Sequence, residues 1–444
     1  MKQNLQVREN DLEDRTLEGL PKSAPSDTTP EIAAVLLTGG IDRPYVFGLV
    51  TELLSKGAAL DVIGSDSLDF PEFHHRPWLN FLNLQGSQSP DVSLVRKVFR
   101  LARYYAKLIR YAVSAKPRIF HILWNNKFEA FDRTFLTIFY KLLGKKIILT
   151  VHNVNSRRRD ANDSHLNRLT LRVQYLLADH IFVHTLGMKT ELREEFGVHE
   201  SRITVMPFPI NNAVPNTGLS KFEARRRLDI HDDRKTILFF GRITRYKGLE
   251  YLVAAFQEVV ARRDEFRLII AGRPENDFQE SWRAIRNGIQ EHVSSGRIVL
   301  KADHIPDEET ELYFQAADVL VLPYKQIYQS GVLFLGYSFG LPVLVADVGT
   351  LKEEIDEGKT GFVFKTEDPV DLATTIERYF ASDLFSTLNA RRQGIKDIAT
   401  ARHSWDVVGR ATMSVYANLL QLPAYREVSN REGANAQLIM KDPS

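Results

Sequence analysis

The segment "FFGRITRYKG", residues 239 to 248, ends an apolar run and sets Arg242 and Lys247 around the start of the following helix. Two permanent cations beside a helix dipole suit a diphosphate, because Arg makes paired contacts and Lys supplies a mobile point charge. Either residue alone would read as a solvated surface cation. Further along, "YQSGVLFLGYSFG", residues 328 to 340, places Ser330 and Gly331 directly before a helical apolar run. The unpaired main-chain N–H groups of such a start, together with the dipole, attract phosphate, although most Ser-Gly starts are only caps.

His152, in "TVHNV", stands at the carboxyl end of an expected strand, where a side chain faces a crevice and an imidazole can handle a proton. A structural histidine is the other reading. Arg157, Arg158 and Arg159 follow and either meet phosphate or are solvated. The turn "TGGIDRP", residues 38 to 44, lets Gly39 and Gly40 bring backbone close to a ligand or simply makes a tight turn. Walker loops, three-glycine dinucleotide fingerprints, Gly-x-Ser-x-Gly elbows and Asp-x-Asp pairs are absent. No spacing of histidines suggests metal ligands, so no essential metal is expected.

These residues need strands to carry them. From residue 32, short aliphatic runs ("IAAVLLTGG", "ALDVIG", "IFHILW", "KKIILTVHNV", "HIFVHT") alternate with amphipathic stretches, and a second series ("TILFFGR", "FRLIIAG", "RIVLKA", "DVLVLP", "PVLVAD", "GFVFK") follows the Pro/Asn-rich "MPFPINNAVPNTG". That alternation predicts an α/β fold of two doubly wound domains, with ligands beyond the carboxyl ends of the strands. The divisions expected are a polar leader at 1–30, a first domain at 31–212, a second at 213–403, a helix at 404–422 returning to the first domain, and a polar tail at 423–444. With 44% hydrophobic and 26% charged residues among 444, there is ample core for this. A formal charge of +2 gives no global argument for nucleic acid, and no nucleic-acid partner is expected; the lack of cysteine excludes disulfides and thiolate chemistry. No segment is apolar enough to span a membrane.

Residues 92 to 118 carry Arg96, Lys97, Arg100, Arg103, Lys107 and Arg110 with no acid, while Leu94, Phe99, Ala102, Ala106, Ile109 and Val113 lie broadly apart from them and Tyr104, Tyr105 and Tyr111 are available as flanks. Such a helix either lies on an anionic membrane surface or is a solvated cover for a sheet. The first reading makes the protein cytoplasmic and peripheral on the inner face of the membrane.

The motifs resemble glycosyltransferase family 4, enzymes of GT-B fold that transfer a sugar from a nucleotide diphosphate sugar to a glycan or lipid-linked acceptor. The resemblance rests on "TGGIDR", "TVHNV", "IFVHT", "FFGRITRYKGLEYLVAAF", "AADVLVLPY", "GLPVLVADVGTLKEEI" and "GKTGFVF". It implies that Arg242 and Lys247 hold the diphosphate, that Ser330, Gly331 and Val332 add amides, that His152 lies beside the transferred sugar, and that Gly40, with Gly39, approaches the donor. The nucleotide sugar is then a co-substrate and no cofactor is required. Ile327 and Leu335 stand where many members carry glutamates, so Tyr328 or Gln329 would serve the sugar instead, with Glu354 a further donor-side carboxylate. Those apolar positions also leave room for a catalytically silent sugar-nucleotide-binding partner protein.

Overall fold

The computed structural model describes residues 30–39, 42–88, 94–126, 128–159, 163–210 and 214–422. Gly40, the leader up to residue 29 and the expected tail at 423–444 lie outside them. The first sheet contains β1 Ala33–Leu37, β2 Ala59–Gly64, β3 Leu79–Asn83, β4 Ile119–Ile122, β5 Lys146–Val151, β6 His180–Val183 and β7 Ile203–Val205, in the order β3-β2-β1-β4-β5-β6-β7. The second contains β8 Lys235–Phe240, β9 Phe266–Ala271, β10 Ile298–Lys301, β11 Val319–Leu322, β12 Val343–Ala346 and β13 Gly361–Phe364, in the order β10-β9-β8-β11-β12-β13. All these strands pair in parallel. The order reverses between β1 and β4 and between β8 and β11, the two places where such sheets open a crevice.

The aliphatic runs form strands because helices cover both faces. All four residues of β4 and of β11 are buried, which only a sheet covered on both sides requires. His121 within β4 is fully buried and bonded at both ring nitrogens, to Tyr416 at 2.7 Å and Thr150 at 2.8 Å. It is a satisfied core histidine.

The helix Arg43–Ser55 starts on Asp42, whose carboxylate accepts from Tyr45 N at 3.0 Å, and runs on through Pro44. Helix Leu94–Ser114 differs from the expected arrangement. Tyr104, Tyr105 and Leu108 face the core, whereas Phe99 and Val113 are exposed together with the cations. The tyrosines hold polar partners beneath the helix instead of flanking its charges: Tyr105 donates to Asp132 at 2.8 Å.

The last helix, Trp405–Leu420, packs on the first domain. Trp405 fills the space above Gly48, Lys56 reaches Asp406 at 2.6 Å, and Tyr416 meets His121. The two chain crossings between the sheets are tied together: Ile210 N donates to His403 O at 3.0 Å, and Trp405 Nε1 donates to Ile210 O at 3.0 Å.

Candidate functional site

Lys247 follows β8, in a turn whose main chain crosses the exit of β11. Gly248 sits at φ +63°, and any side chain there would strike Pro323 O at 2.0 Å, so only glycine lets the turn pack this closely. Lys247 is 6% exposed and has no salt bridge among the described residues. Its Nζ lies 3.5 Å from Phe240 O and 5.5 Å from the Tyr324 ring centroid. Burial, and then the charge of Arg242, pulls its pKa down to about 7. Among the described residues no carboxylate pairs with this ammonium, and only a weaker influence from Glu275 opposes the shift.

The helix Gly331–Ser338 begins beside it. A Cβ built on Gly241 would lie 2.7 Å from Lys247 Nζ and 3.5 Å from Val332 Cγ2, so cation and first helical turn flank one glycine. Ser330 occupies the cap position but makes no capping bond; its hydroxyl instead meets Tyr324 Oη at 3.4 Å. Leu333 N donates to Ser330 O at 3.1 Å, whereas the amides of Gly331 and Val332 have neither an acceptor nor a side-chain cap among the described residues.

Arg242 does not join them. It is exposed and paired with Glu275 at 2.6 Å, although its charge still acts on Lys247. Arg157 and Arg158 are likewise held by carboxylates, Arg157 by Glu129 at 3.2 Å and Arg158 by Glu195 and by Glu191 at 3.4 Å.

Across the cleft, His152 stacks on Trp124 at 4.2 Å with an interplanar angle of 5°, and Tyr45 meets it edge-on at 4.7 Å. Its Nδ1 lies 3.1 Å from Nε2 of His184, whose Nδ1 is 3.3 Å from Met206 O. A carbonyl only accepts, so Nδ1 of His184 carries the hydrogen and its Nε2 is the acceptor. His152 must then donate through Nδ1 and keep a lone pair on Nε2. Burial lowers both pKa values, to about 4 for His184 and well below the usual range for His152, keeping both rings neutral. Phe208 touches both sides: its ring is 6.2 Å from His152 and 5.6 Å from Phe334, and 3.6 Å from a Cβ built on Gly331.

Among the described residues, four buried polar atoms on these turns have no hydrogen-bond partner: His152 Nε2, Asn153 Oδ1, Thr244 Oγ1 and Gln329 Oε1. Each such vacancy costs about 1–3 kcal/mol, so their gathering at the carboxyl ends of two facing sheets is a mark of a ligand site.

Other expected donor contacts are engaged elsewhere. Tyr328 donates to Glu191 of the first domain. Glu354 lies 3.0 Å from His403 Nε2 and accepts from Gln329 at 3.3 Å, tying the donor-side turn to the crossing. Gly39, at φ +61°, packs against Trp124, where a Cβ would come within 2.8 Å.

His184, Trp124 and Tyr324 are site residues that the pattern of the sequence did not single out. The register Val151↔Val183 sets His152 beside His184, so matching histidines after two neighbouring strands were the available signal. Among the described residues no group of three or more His, Cys, Asp or Glu could hold a metal ion.

Residues 38–213 match the family described as Glycosyltransferase Family 4, and residues 234–382 match Glycosyl transferases group 1. The D-inositol 3-phosphate glycosyltransferase of Corynebacterium urealyticum is 27% identical over 55% of this chain and 58% of its own length. An uncharacterized glycosyltransferase of Methanocaldococcus jannaschii is 28% identical over 53% of this chain and 59% of its own. The matched region thus spans a little over half of these relatives. Sucrose-phosphate synthase from Thermosynechococcus elongatus superposes with a TM-score of 0.69 over 88% of this chain and 99% of that one, at 19% identity. Anabaena HepE, solved with UDP, does so with 0.65 over 87% and 99%, at 15% identity. With both family matches in order along the chain and both sheets wound as in these structures, the chain belongs to the family-4-like glycosyltransferases of GT-B fold.

Proposed function

We propose that the protein transfers a hexose from a nucleotide diphosphate sugar, bound mainly on the second domain, to an acceptor on the first. The observation that carries this is Lys247: a buried ammonium with no salt bridge among the described residues, beside the uncapped start of helix Gly331–Ser338. Breaking the sugar–phosphate bond develops negative charge on the leaving diphosphate, and a preorganised cation with main-chain amides stabilises it without reorganisation. No metal is assigned a role in this reading. Arg242 would join by leaving Glu275; an exposed pair is worth about 0–1 kcal/mol, less than a charged contact to phosphate. His152 Nε2 accepts a hydrogen bond from a sugar hydroxyl, and Gln329 Oε1 and Thr244 Oγ1 are further acceptors for the donor. Release of nucleoside diphosphate from UDP-, ADP- or GDP-sugars with a membrane extract tests the reading. Wild-type release that Lys247→Met abolishes is expected. Binding without release would favour the silent partner that Ile327 and Leu335 suggest.

The helix Leu94–Ser114 supports contact with an anionic inner leaflet. Arg103, Lys107 and Arg110 are exposed beside Val95, Phe99 and Val113, and Phe135 and Leu142 are exposed on the neighbouring segment. Cations interleaved with bulky apolar groups suit an interfacial helix. No helix among the described residues is long and apolar enough to cross a membrane.

A further inference from the structure

A cavity of about 290 Å³ opens under helix Leu94–Ser114, at the reversal of strand order in the first sheet: Gly39, after β1, and Asn126, after β4, both line it. It is separate from Lys247, and Gly39, which lines it, packs on Trp124, which in turn stacks on His152. Its polar floor is fixed in advance. Asn126 Oδ1 accepts from Gln85 at 2.8 Å and from Tyr104 at 3.0 Å, and Asp132 holds Asn126 through the main-chain N–H at 2.6 Å and the side-chain amide at 3.0 Å.

Lys97 and Arg100 stand at the mouth. Arg100 is oriented by donation to Ser87 O at 2.5 Å, which leaves further guanidinium donors, and neither cation has an acidic partner among the described residues. Among the described residues no carboxylate lines the cavity. Its volume is at the low end of the range for small-molecule sites, about 300–1,000 Å³, enough for one ring and too small for a folded chain. Amides and a phenol suit ring hydroxyls, and paired cations suit an anion.

We infer that this cavity is the acceptor subsite and takes a single-ring sugar or polyol bearing a phosphate, which Lys97 and Arg100 contact; the inference rests on the transferase reading above. The phosphate belongs either to a free sugar phosphate or to a lipid headgroup. Val98, which lines the cavity and is also exposed, puts its mouth beside the apolar surface of the helix.

The test is calorimetric titration of the full chain with glucose 6-phosphate, myo-inositol 1-phosphate and their unphosphorylated parents, alongside flotation with phosphatidylcholine vesicles containing phosphatidylinositol or an equal charge of phosphatidylserine. Thermal shift by UDP, ADP and GDP is read in parallel. A free phosphorylated acceptor is indicated by binding of a sugar phosphate that Lys97→Gln/Arg100→Gln weakens roughly tenfold or more, with the nucleotide shift unchanged. A lipid headgroup is indicated by preference for phosphatidylinositol vesicles that the same variant loses. Binding of the neutral parents equal to that of the phosphates, binding indifferent to the double variant, or no binding by either source overturns the inference while a persisting nucleotide shift leaves the transferase reading intact. Absence of any nucleotide shift in the wild type would bring down both.

Discussion

His184 Nε2 lies 3.1 Å from His152 Nδ1, and the Met206 carbonyl behind His184 fixes the direction of that hydrogen bond. His152 therefore presents a lone pair to the cleft. His184 acts through His152 and is a positioning residue. His184→Phe should lower kcat/KM about tenfold, the equivalent of one lost hydrogen bond of about 1.4 kcal/mol, with nucleotide affinity unchanged. Steady-state kinetics and UDP titration check this; His184→Gln, which can still accept, should recover part of the loss.

The same pair makes a pH prediction. His184 titrates near 4 in the fold and near 6.5 unfolded, so between those values the unfolded chain binds more protons. Stability rises with pH there, and is lost as pH falls from about 6.5 towards about 4, by up to about 1.4 kcal/mol per pH unit for this one group. Melting temperatures measured across that range should fall less steeply in His184→Gln than in the wild type.

Lys247 has the opposite linkage to its ligand. Its pKa of about 7 in the unliganded protein must rise when a diphosphate arrives, so donor affinity is full below about 7 and declines as pH increases above it, by at most tenfold per unit. Titration with a nucleotide sugar at successive pH values should show this decline in the wild type and a flat profile in Lys247→Met. Because the buried ammonium has no salt bridge among the described residues and only one long hydrogen bond, to Phe240 O at 3.5 Å, that variant should melt no lower than the wild type.

Trp405 joins the last helix to the first domain. It packs over Gly48 and donates to Ile210 O at 3.0 Å. Trp405→Ala should destabilise the protein by about 3–5 kcal/mol, seen as a lowered urea midpoint, and should loosen the two crossings.

The strands with long aliphatic runs were legible because parallel strands covered on both faces need such runs. β3, "LNFLN", and β7, "ITV", were not: β3 alternates with asparagines at the sheet margin and β7 is three residues long. Lys247 and the Ser330-Gly331 start could be read from local pattern, since turn and helix lie next to each other in sequence. His184 could not, because its role depends on the register of β5 against β6. Nor could the fate of Arg242 and Tyr328 be read, as their partners Glu275 and Glu191 are far away along the chain. The outward face of helix Leu94–Ser114 was misassigned in part because tyrosine serves a buried polar network as readily as a surface.

Membrane contact can be separated from catalysis. Arg103→Glu, Lys107→Glu and Arg110→Glu together should abolish sedimentation with anionic vesicles, each cation contributing about 1 kcal/mol, while leaving nucleotide binding unchanged. Undiminished sedimentation would remove the membrane assignment.

The most direct measurement of the central claim is calorimetric titration of a nucleotide sugar, UDP-glucose first, into the wild type and Lys247→Met at a pH below 7. Loss of a buried charged contact predicts affinity weaker by about 1.5–3 kcal/mol, roughly ten- to a hundredfold. Equal affinity in the two proteins would contradict a diphosphate site at Lys247 and the start of helix Gly331–Ser338.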